Sequence, residues 1–405
     1  MKFFKKTIRD VPLNGHTVLV RVDYNVPLTT DGAISDDLRI RMSVPTIQFL
    51  LARGCKVVLI SHLGRPEGHD LSCSLEPAAV RLGELLEKPV VFVDDLTGDA
   101  AYQAVRKAPK NGIVMLQNLR FDPREEQDDM DFAKAIAKAS QADFFVQDGF
   151  GVVHRAHTST RAITLCLPSV AGLLLEREYV TISSAMEEPE RPLLAILGGA
   201  KVSDKIQVVE RFVAFADKVL VGGAMANTFL EYKGYSMGKS KVESDQKATL
   251  DHIYDAAHKK AGDAVDDFLL LPTDVAIATS VDKDQMRSLK GVSDVVEDEL
   301  ALDIGNETIE RYTNEIAKAK TVIWNGPLGL TELPNFAHGS ARTALAMATN
   351  PGLTSIVGGG DTADFVLKWD SKQGGSFTHV STGGGASLDL MAGNRLPGVE
   401  ALLDA

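Results

Sequence analysis

The sequence predicts an α/β protein that contains two doubly wound, mostly parallel sheets of the Rossmann-like kind. Two observations support this prediction. Apolar strand patterns alternate with helical patterns along the chain, as expected of parallel sheets that helices cover on both faces. The length of 405 residues also exceeds what one hydrophobic core usually supports, so we expect two domains.

Ten apolar runs have the character of strands, five in each half of the chain. The first five are TVLVRV (17–22), KVVLIS (56–61), PVVFV (89–93), GIVML (112–116) and DFFVQ (143–147). The second five are PLLAIL (192–197), KVLVG (218–222), FLLLP (268–272), KTVIW (320–324) and TSIVG (354–358). Helical patterns between them include Asp36–Arg53, Glu76–Glu87 and Asp131–Ser140. Because ten strand–helix units exceed one ordinary sheet, two sheets are the simpler interpretation.

The division between the domains is predicted within Pro168–Pro192. This segment has the pattern of one long helix that ends at prolines, which interrupt helices. We therefore expect domains at 1–171 and 192–392, joined by an interdomain helix at 172–191 that acts as a hinge. A helix that belongs wholly to one domain is the alternative.

Composition and charge restrict the classes of function. The net charge of -12 argues against binding nucleic acid over a broad surface. Three scattered cysteines without a CxxC pair argue against a disulfide framework or a thiolate metal site, and they fit a reducing cytoplasm. Because the chain shows neither a signal-peptide pattern nor an apolar run of membrane-spanning length, we expect a cytoplasmic protein without a membrane partner.

Five glycine clusters follow strand patterns in the second half of the chain. After a parallel strand, glycine lets backbone amides approach phosphate, and the next helix N-terminus favours negative charge. One cluster would also fit an ordinary tight turn, but five in one sheet predict a nucleotide or phosphate site. A GxxxxGK[ST] motif is absent, which excludes a P-loop enzyme. The clusters are Gly198-Gly199, Gly222-Gly223, Gly326 with Gly329, Gly358-Gly359-Gly360 and Gly383-Gly384-Gly385.

Charged residues stand beside these glycines. Lys201 and Lys205 have the i, i+4 spacing that places two side chains on one helix face. Two ammonium groups near a helix start are unfavourable unless an anion lies between them, although a solvated lysine face is the alternative. Asp361 stands at another predicted helix start. It fits either an N-cap, with Thr362 in support, or a ligand for Mg²⁺ on a nucleotide phosphate.

The first half of the chain carries a cluster of arginines and other polar residues. Of the 19 arginines, 12 precede Gly172. Arg21, Asp23 and Asn25 alternate along the end of the first strand and therefore share one face. A doubly wound fold would gather the cluster at one sheet edge, where it suits a small, multiply charged anion. Solvated arginines and a polar strand cap are the alternatives. The other members are Arg39, His62, Arg65, Arg120, His154, Arg155 and His157.

Eight motifs occur in order over nearly the whole chain. They are RVDYNVP, SHLGRP, LQNLRF, DGFGVVHRAH, GGAKVSDKI, WNGPLG, GGGDTA and STGGGASL. In this order they resemble the phosphoglycerate kinase family. The resemblance implies a cytoplasmic monomer that transfers phosphoryl reversibly between ATP and the carboxylate of 3-phosphoglycerate with Mg²⁺, giving ADP and 1,3-bisphosphoglycerate in glycolysis and gluconeogenesis. It also implies that residues 393–405 return to pack on the first domain.

The resemblance implies roles for individual residues, to which the strand pattern adds Arg21. The residues that hold 3-phosphoglycerate are Arg21, Asp23, Asn25, Arg39, His62, Arg65, Arg120 and Arg155. The residues that bind the nucleotide are Lys201, Lys205, Asn325, Glu332, Gly358, Gly359, Gly360, Asp361 and Thr362. Asp361 is the implied ligand of Mg²⁺. The residues expected to assist the transferring phosphoryl group are Arg39, Lys201, Gly383 and Gly384. Gln117 and Gln147 stand where the family usually has Glu and Asn.

The implied chemistry needs no catalytic base, because a carboxylate acceptor is already ionised near pH 7. Catalysis is expected to consist of positioning and charge neutralisation, with a closing movement of the domains about the hinge. Two other functions stay open. Another acyl-phosphate kinase would act on a different carboxylate, which the arginine cluster disfavours. A catalytically silent nucleotide-binding regulatory protein is disfavoured by the joint presence of Arg39, Lys201 and Asp361.

Overall fold

A computed structural model of the chain describes residues 2–405. The chain divides into two compact units. The first contains the residues up to Val180 together with Asn394–Ala405, and the second contains Thr181–Gly393. Each unit has a six-stranded parallel sheet with helices, so the predicted fold class is confirmed.

The first unit alternates strands and helices. Its strands are β1 (Thr17–Arg21), β2 (Lys56–Ile60), β3 (Val90–Val93), β4 (Ile113–Leu116), β5 (Phe144–Gln147) and β6 (Ser169–Ala171). Its helices are α1 (Leu38–Ala52), α2 (Glu76–Leu86), α3 (Asp99–Lys107), α4 (Met130–Ser140) and α5 (Leu173–Glu187), the last of which continues across the division. The strands pair in parallel in the order β3-β4-β2-β1-β5-β6.

Successive residues of the central strands supply two separate cores. Val18 and Val57 pack into one core, whereas Leu19 and Val58 pack into the other. Because successive side chains of a strand point to opposite faces, a sheet with helices on both faces needs apolar residues at every position. This requirement explains the continuous apolar runs of the sequence.

The second unit also contains an antiparallel sheet. Its strands are β7 (Leu193–Leu197), β8 (Lys218–Val221), β9 (Leu269–Leu270), β10 (Asp274–Ala278), β11 (Ser288–Gly291), β12 (Leu300–Ile304), β13 (Thr321–Asn325), β14 (Thr354–Gly358) and β15 (His379–Val380). Its helices are α6 (Ile206–Phe215), α7 (Gly223–Tyr232), α8 (Lys247–Ala261), α9 (Val265–Phe268), α10 (Asn306–Lys318), α11 (His338–Ala348), α12 (Gly360–Trp369) and α13 (Gly385–Ala392). The parallel sheet has the order β15-β14-β13-β7-β8-β9, and the antiparallel sheet has the order β11-β10-β12.

Two parts of the fold differ from the sequence prediction. The long helix predicted from Ser169 begins only at Leu173, because Ser169–Ala171 pairs with β5 as an edge strand. The buried carboxylate of Asp148 accepts a hydrogen bond from the Leu174 N–H (3.0 Å) at the true helix start. The antiparallel sheet was not predicted, because β11 is half-exposed and polar and gives no apolar run.

The chain ends on the first unit with α14 (Pro397–Glu400), as expected from the resemblance. The Lys6 N–H donates to the Leu403 carbonyl (2.7 Å), and the Ala405 N–H donates to the Phe4 carbonyl (3.1 Å). The Gly398 N–H donates to the Val153 carbonyl (2.9 Å). The final residues thus pair directly with the amino-terminal segment.

Within residues 2–405, no helix combines the length and the apolar character needed to cross a membrane.

Replacing Lys5 by Met should destabilise the pairing of the two chain ends. The buried Lys5 Nζ donates to the carbonyls of Glu400 (2.8 Å) and Leu402 (3.0 Å) and to Asp404 Oδ1 (2.7 Å). Loss of these bonds should lower the free energy of unfolding by about 2 kcal/mol in urea titrations. Lys6→Met, one residue along the chain, is the control and should have little effect; equal effects of both substitutions would contradict the prediction.

Candidate active site

Three of the predicted arginines line one pocket of the first unit. Arg65, Arg120 and Arg155 surround a cavity of about 860 Å³, together with Glu126 and His157. Burial lowers the pKa of His157 to about 4, so its ring is neutral at pH 7. Three guanidinium groups around one cavity suit a small anion that carries several charges.

A second group of predicted residues lies at the end of β1. Arg39 Nη1 donates to Asp23 Oδ2 (2.7 Å), and the Asn25 N–H donates to Asp23 Oδ1 (3.1 Å). Burial opposes ionisation of Asp23, but the neighbouring positive charges, led by Arg39, outweigh burial and lower its pKa to about 2. Asp23 therefore carries a full negative charge at pH 7 and holds Arg39 in place.

Arg21 does not line the pocket but is hydrogen-bonded to His62. Its side chain is buried, and its Nη2 lies 3.2 Å from His62 Nδ1. Burial keeps the pKa of His62 well below its usual value, so the neutral ring accepts this hydrogen bond at Nδ1. Burying polar side chains is unfavourable unless they have partners, and for this reason the polar face at the end of β1 was predicted to bind a ligand. The buried Arg21 instead has protein partners.

Sequence reasoning missed the residues that hold Arg21. Its Nε donates to Ser159 Oγ (2.8 Å), and Ser159 Oγ donates to Glu125 Oε1 (2.6 Å). Burial raises the pKa of Glu125 to about 6, although Arg21 opposes the shift. Nothing in the spacing distinguishes Glu125, which is buried, from Glu126, which lines the pocket.

The peptide of Gly64 connects the two groups of predicted residues. Its N–H donates to Asn25 Oδ1 (2.8 Å), and its carbonyl accepts from Arg120 Nη1 (2.6 Å). Gly64 has a φ of +63°, and a Cβ there would lie 2.9 Å from Cys73 Sγ. Glycine in SHLGRP is therefore required by both the backbone conformation and the space.

Gln117 helps to fix the same region. Its Nε2 donates to Asp94 Oδ1 (2.8 Å) and Ser74 Oγ (3.2 Å), while its Oε1 accepts from the Asn118 N–H (2.8 Å). An ionised glutamate, the residue usual in the family, has no proton to donate to Asp94. Gln117 therefore ties Asp94, Ser74 and the Asn118 backbone together through hydrogen bonds that include two donated by its amide.

In the second unit, the five glycine clusters follow five neighbouring strands. They come after β7, β8, β13, β14 and β15, and these strands are adjacent in the parallel sheet. Their turns therefore meet at its carboxyl edge, where open α/β sheets bind ligands. Gly384, with a φ of +50°, directly precedes α13.

Two of these turns pack backbone against backbone. The Gly199 N–H donates to the Pro327 carbonyl (2.9 Å). A Cβ on Gly326 would lie 2.1 Å from the Gly198 carbonyl oxygen, and a Cβ on Gly198 would lie 2.2 Å from that of Pro327. Side chains at these positions would separate the turns, so the glycines permit the approach.

The two lysines occupy different settings, and the prediction that they share a helix face is wrong. Lys201 is exposed and precedes a 3₁₀ turn at Ser203–Lys205, whereas α6 begins only at Ile206. Lys205 Nζ donates to the Gly198 carbonyl (2.7 Å). Burial lowers the pKa of Lys205 to about 8, although Asp361 opposes the shift.

Asn325, Asp361 and Thr362 lie beside the glycine turns. Thr362 Oγ1 accepts from the Gly326 N–H (2.7 Å). Asn325 is buried at the end of β13, and neither polar atom of its side chain has a hydrogen-bond partner within residues 2–405. A Cβ on Gly359 would lie 3.2 Å from this amide.

Asp361 lies in the first turn of α12, and the N-cap alternative is wrong. The helix begins at Gly360, and no side chain caps it. Asp361 is exposed and makes no hydrogen bond or ion pair in the described part of the chain. Glu332 is exposed in the loop between β13 and α11. Across residues 2–405, no three or more His, Cys, Asp or Glu side chains group as a metal site.

Replacing Asp23 by Asn should destabilise the protein in a pH-dependent way. The lowered pKa stabilises the folded state above the unfolded value of 3.8, and this contribution is lost as the pH falls toward about 2. We expect Asp23→Asn to lower the unfolding free energy by about 2 kcal/mol at pH 7, and the difference to shrink below about pH 4. Asp131→Asn, at an exposed ion pair, is the control. A difference that grows as the pH falls would contradict the assignment.

Comparisons with known proteins agree with the architecture and with the eight motifs. The family model described as Phosphoglycerate kinase matches residues 8–394. The phosphoglycerate kinase of Dictyoglomus turgidum is 45% identical over 403 residues, covering 99% of each chain. That of Chloroflexus aurantiacus is 47% identical over 409 residues, again covering 99% of each. The solved phosphoglycerate kinase structure from Coxiella burnetii has a TM-score of 0.83 at 34% identity, and that from Pyrococcus horikoshii has 0.84 at 31%, each covering 98% of both chains. The chain therefore belongs to the phosphoglycerate kinase family.

Proposed function

We propose that this chain transfers phosphoryl reversibly between ATP and the carboxylate of 3-phosphoglycerate, giving ADP and 1,3-bisphosphoglycerate in glycolysis. The observation that carries the proposal is that the two units of this family member contain two different kinds of site. One unit has an arginine-lined pocket, and the other has a sheet edge of glycine turns with Lys205 and Asp361 beside it. A phosphorylated acid and a nucleotide are the two ligands that these sites suit.

We infer that 3-phosphoglycerate binds to the first unit. Arg65, Arg120 and Arg155 supply the charge for its phosphate, as the lining of the pocket supports. Arg39 is proposed to neutralise charge near the reacting carboxylate, and its hydrogen bond to Asp23, which fixes the guanidinium group, supports this role. Asn25 and His62 complete the set, and Arg21 acts through His62.

We infer that ATP or ADP binds to the second unit. The turns at Gly358–Gly360 and Gly383–Gly384 lie at the proposed site, and the side-chain amide of Asn325, which has no hydrogen-bond partner within residues 2–405, lies beside Gly358 and Gly359. Lys201, Lys205 and Thr362 contribute further polar groups, and Glu332 is proposed for the ribose. The Gly383 N–H already donates to Ser381 Oγ (3.0 Å), so in the transfer itself Lys201 and the Gly384 N–H would stabilise charge on the moving phosphoryl group.

Asp361 fits the role of a Mg²⁺ ligand. Mg²⁺ usually binds through one or two carboxylates together with substrate phosphates rather than in an all-protein cage. The Asp361 carboxylate is exposed, makes no hydrogen bond or ion pair within residues 2–405 and interacts with the charge of Lys205 beside the glycine turns, which suits that mode. When bound, the cation supplies neutralisation of phosphate charge.

The domain roles and the setting of the enzyme also belong to this proposal. We assign acceptor binding to residues 1–171 with 393–405 and nucleotide binding to 192–392, with 172–191 as the hinge. A cytoplasmic monomer that binds neither nucleic acid nor membrane is the expected form. These statements stay predictions.

A coupled assay tests the function directly. With ATP and Mg²⁺, the protein should turn over 3-phosphoglycerate but neither aspartate nor acetate. Turnover of a simple carboxylate instead would favour another acyl-phosphate kinase. Background rates with all three, combined with ATP binding in calorimetry, would favour the silent regulatory protein.

Replacing Lys201 by Ala should lower kcat far more than the affinity for nucleotide. The exposed ammonium group is proposed to act on charge that develops in the transition state rather than on the bound ground state. Steady-state kinetics and calorimetry with ADP measure the two quantities. Lys283→Ala, an exposed lysine elsewhere in the same unit, is the control. A kcat within about threefold of wild type, under roughly 1 kcal/mol, would contradict the role.

Nucleotide affinity should fall as the pH rises, because Lys205 loses its proton near pH 8. The charged form attracts phosphate and the neutral form does not, so the Kd for ADP should be about tenfold higher at pH 9 than at pH 7. Calorimetry at several pH values measures this. Lys205→Met should bind more weakly and without this dependence; an unchanged Kd in the wild type would refute the prediction.

A further inference from the structure

We propose that Glu243 is a positioning residue that fixes the loop carrying Lys201 for phosphoryl transfer. The inference rests on the proposed function, because it concerns the turnover in which Lys201 takes part. Lys201 lies between Gly199 and the 3₁₀ turn Ser203–Lys205, before α6 begins at Ile206. The residue is therefore outside the helix, so other groups must hold its backbone.

The Glu243 carboxylate binds the backbone directly after Lys201. Its Oε2 accepts from the N–H groups of Val202 (2.8 Å) and Ser203 (3.0 Å), and its Oε1 accepts from Ser203 Oγ. N–H groups at the start of a helical turn have no carbonyl partner within it. Glu243 supplies that partner from 41 residues further along the chain.

Glu243 is itself anchored to α7. Its N–H donates to Oγ1 of Thr228, a buried residue of that helix (3.1 Å). The neighbouring Asn227 donates through Nδ2 to the carbonyls of Lys241 (3.3 Å) and Ala301 (3.3 Å). The segment that carries Glu243 is thus fixed to α7 and to β12.

The other side of the Lys201 loop is tied to the same helix. The Met225 N–H, in the first turn of α7, donates to the Gly199 carbonyl (2.9 Å). Gly199 is therefore held directly by α7, and Val202 is held by α7 through Glu243. Lys201 lies between these two attachments, so the position of its backbone depends on both.

The charge of Glu243 complements that of Lys201. Burial opposes ionisation of Glu243, but the hydrogen bonds from Ser203 and Val202 and the charge of Lys201 outweigh burial and lower its pKa. The carboxylate also occupies donors that would otherwise be open to a nucleotide phosphate. Both the length of the Glu243 side chain, which allows its hydrogen bonds to Val202 and Ser203, and its negative charge can therefore contribute to holding the Lys201 loop.

Two substitutions of Glu243 separate the effect of its side-chain length from the effect of its charge. Glu243→Gln keeps the length of the side chain, and its amide oxygen still accepts from backbone N–H groups. Glu243→Asp keeps the charge but is one methylene shorter, so it cannot hold the same bonds. A positioning role predicts that kcat of Glu243→Gln stays within about threefold of wild type, whereas kcat of Glu243→Asp and Glu243→Ala falls by about tenfold. The opposite order would overturn the proposal.

The kinetic parameters and a matched control distinguish positioning from loss of structure. KM for 3-phosphoglycerate should stay within about twofold in every variant, since Glu243 acts only on the transfer step. Glu231 is an exposed glutamate of α7 that lines a surface pocket together with Glu243, and Glu231→Ala should leave kcat unchanged. Thermal unfolding identifies any variant that loses stability. A lower melting temperature with an unchanged kcat for the folded Glu243→Ala protein would overturn the proposal.

A double-mutant cycle with Lys201 is the decisive experiment. If Glu243 acts through Lys201, then Glu243→Ala should lower kcat by about tenfold in the wild-type background and by less than about twofold in the Lys201→Ala background. Equal losses in both backgrounds would overturn the positioning role. Absence of turnover in the wild type would overturn the proposed function together with this inference. Wild-type turnover that is unaffected by Glu243→Ala would overturn the inference alone.

Discussion

The close approach of the turns after β7 and β13 is the constraint on which the glycine-rich sheet edge of the second unit depends. A Cβ on Gly326 or Gly198 would lie within about 2 Å of a facing carbonyl oxygen, so glycine alone permits the packing. The approach brings the Gly198 carbonyl to Lys205 and the Gly326 N–H to Thr362. The same packing buries Lys205, and burial lowers its pKa to about 8 although the nearby charge of Asp361 opposes the shift. The amine can therefore lose its proton at mildly alkaline pH.

The first unit meets a different requirement, because it concentrates positive charge at a partly buried site. Guanidinium groups that are removed from water need partners. Asp23 pairs with Arg39, Glu126 pairs with Arg120 (3.1 Å), and Ser159 with Glu125 supports Arg21. Carboxylates thus hold Arg39 and Arg120 directly and Arg21 through Ser159, while Arg65, Arg120 and Arg155 line the pocket.

Three helical starts are satisfied by distant carboxylates, whereas α4 has a local cap in Asp129. Asp148 accepts from the first turn of α5, Asp303 accepts from the Gly339 N–H in α11 (2.9 Å), and Glu243 accepts before α6. Burial raises the pKa of Asp148 and of Asp303 to about 7. Sequence rules for capping look within a few residues, so they miss contacts that span 26 to 41 positions. The predicted helix start at Ser169 is wrong because Ser169–Ala171 pairs with β5 as a strand, and the predicted lysine face is wrong because a 3₁₀ turn precedes α6.

Strand periodicity and glycine position predicted the fold class and the two parallel sheets, because both are local properties of the sequence. The carboxyl ends of parallel strands meet at one edge whatever the side chains are, so the same pattern predicted the sheet edge at which each site is proposed. The contacts between distant segments were needed to show which arginines line the pocket, that Arg21 instead contacts His62, and that Glu243 holds the Lys201 loop. Burial and hydrogen bonding between distant segments decide these roles. The short, polar strand β11 likewise depends on its partner β10 rather than on an apolar pattern of its own.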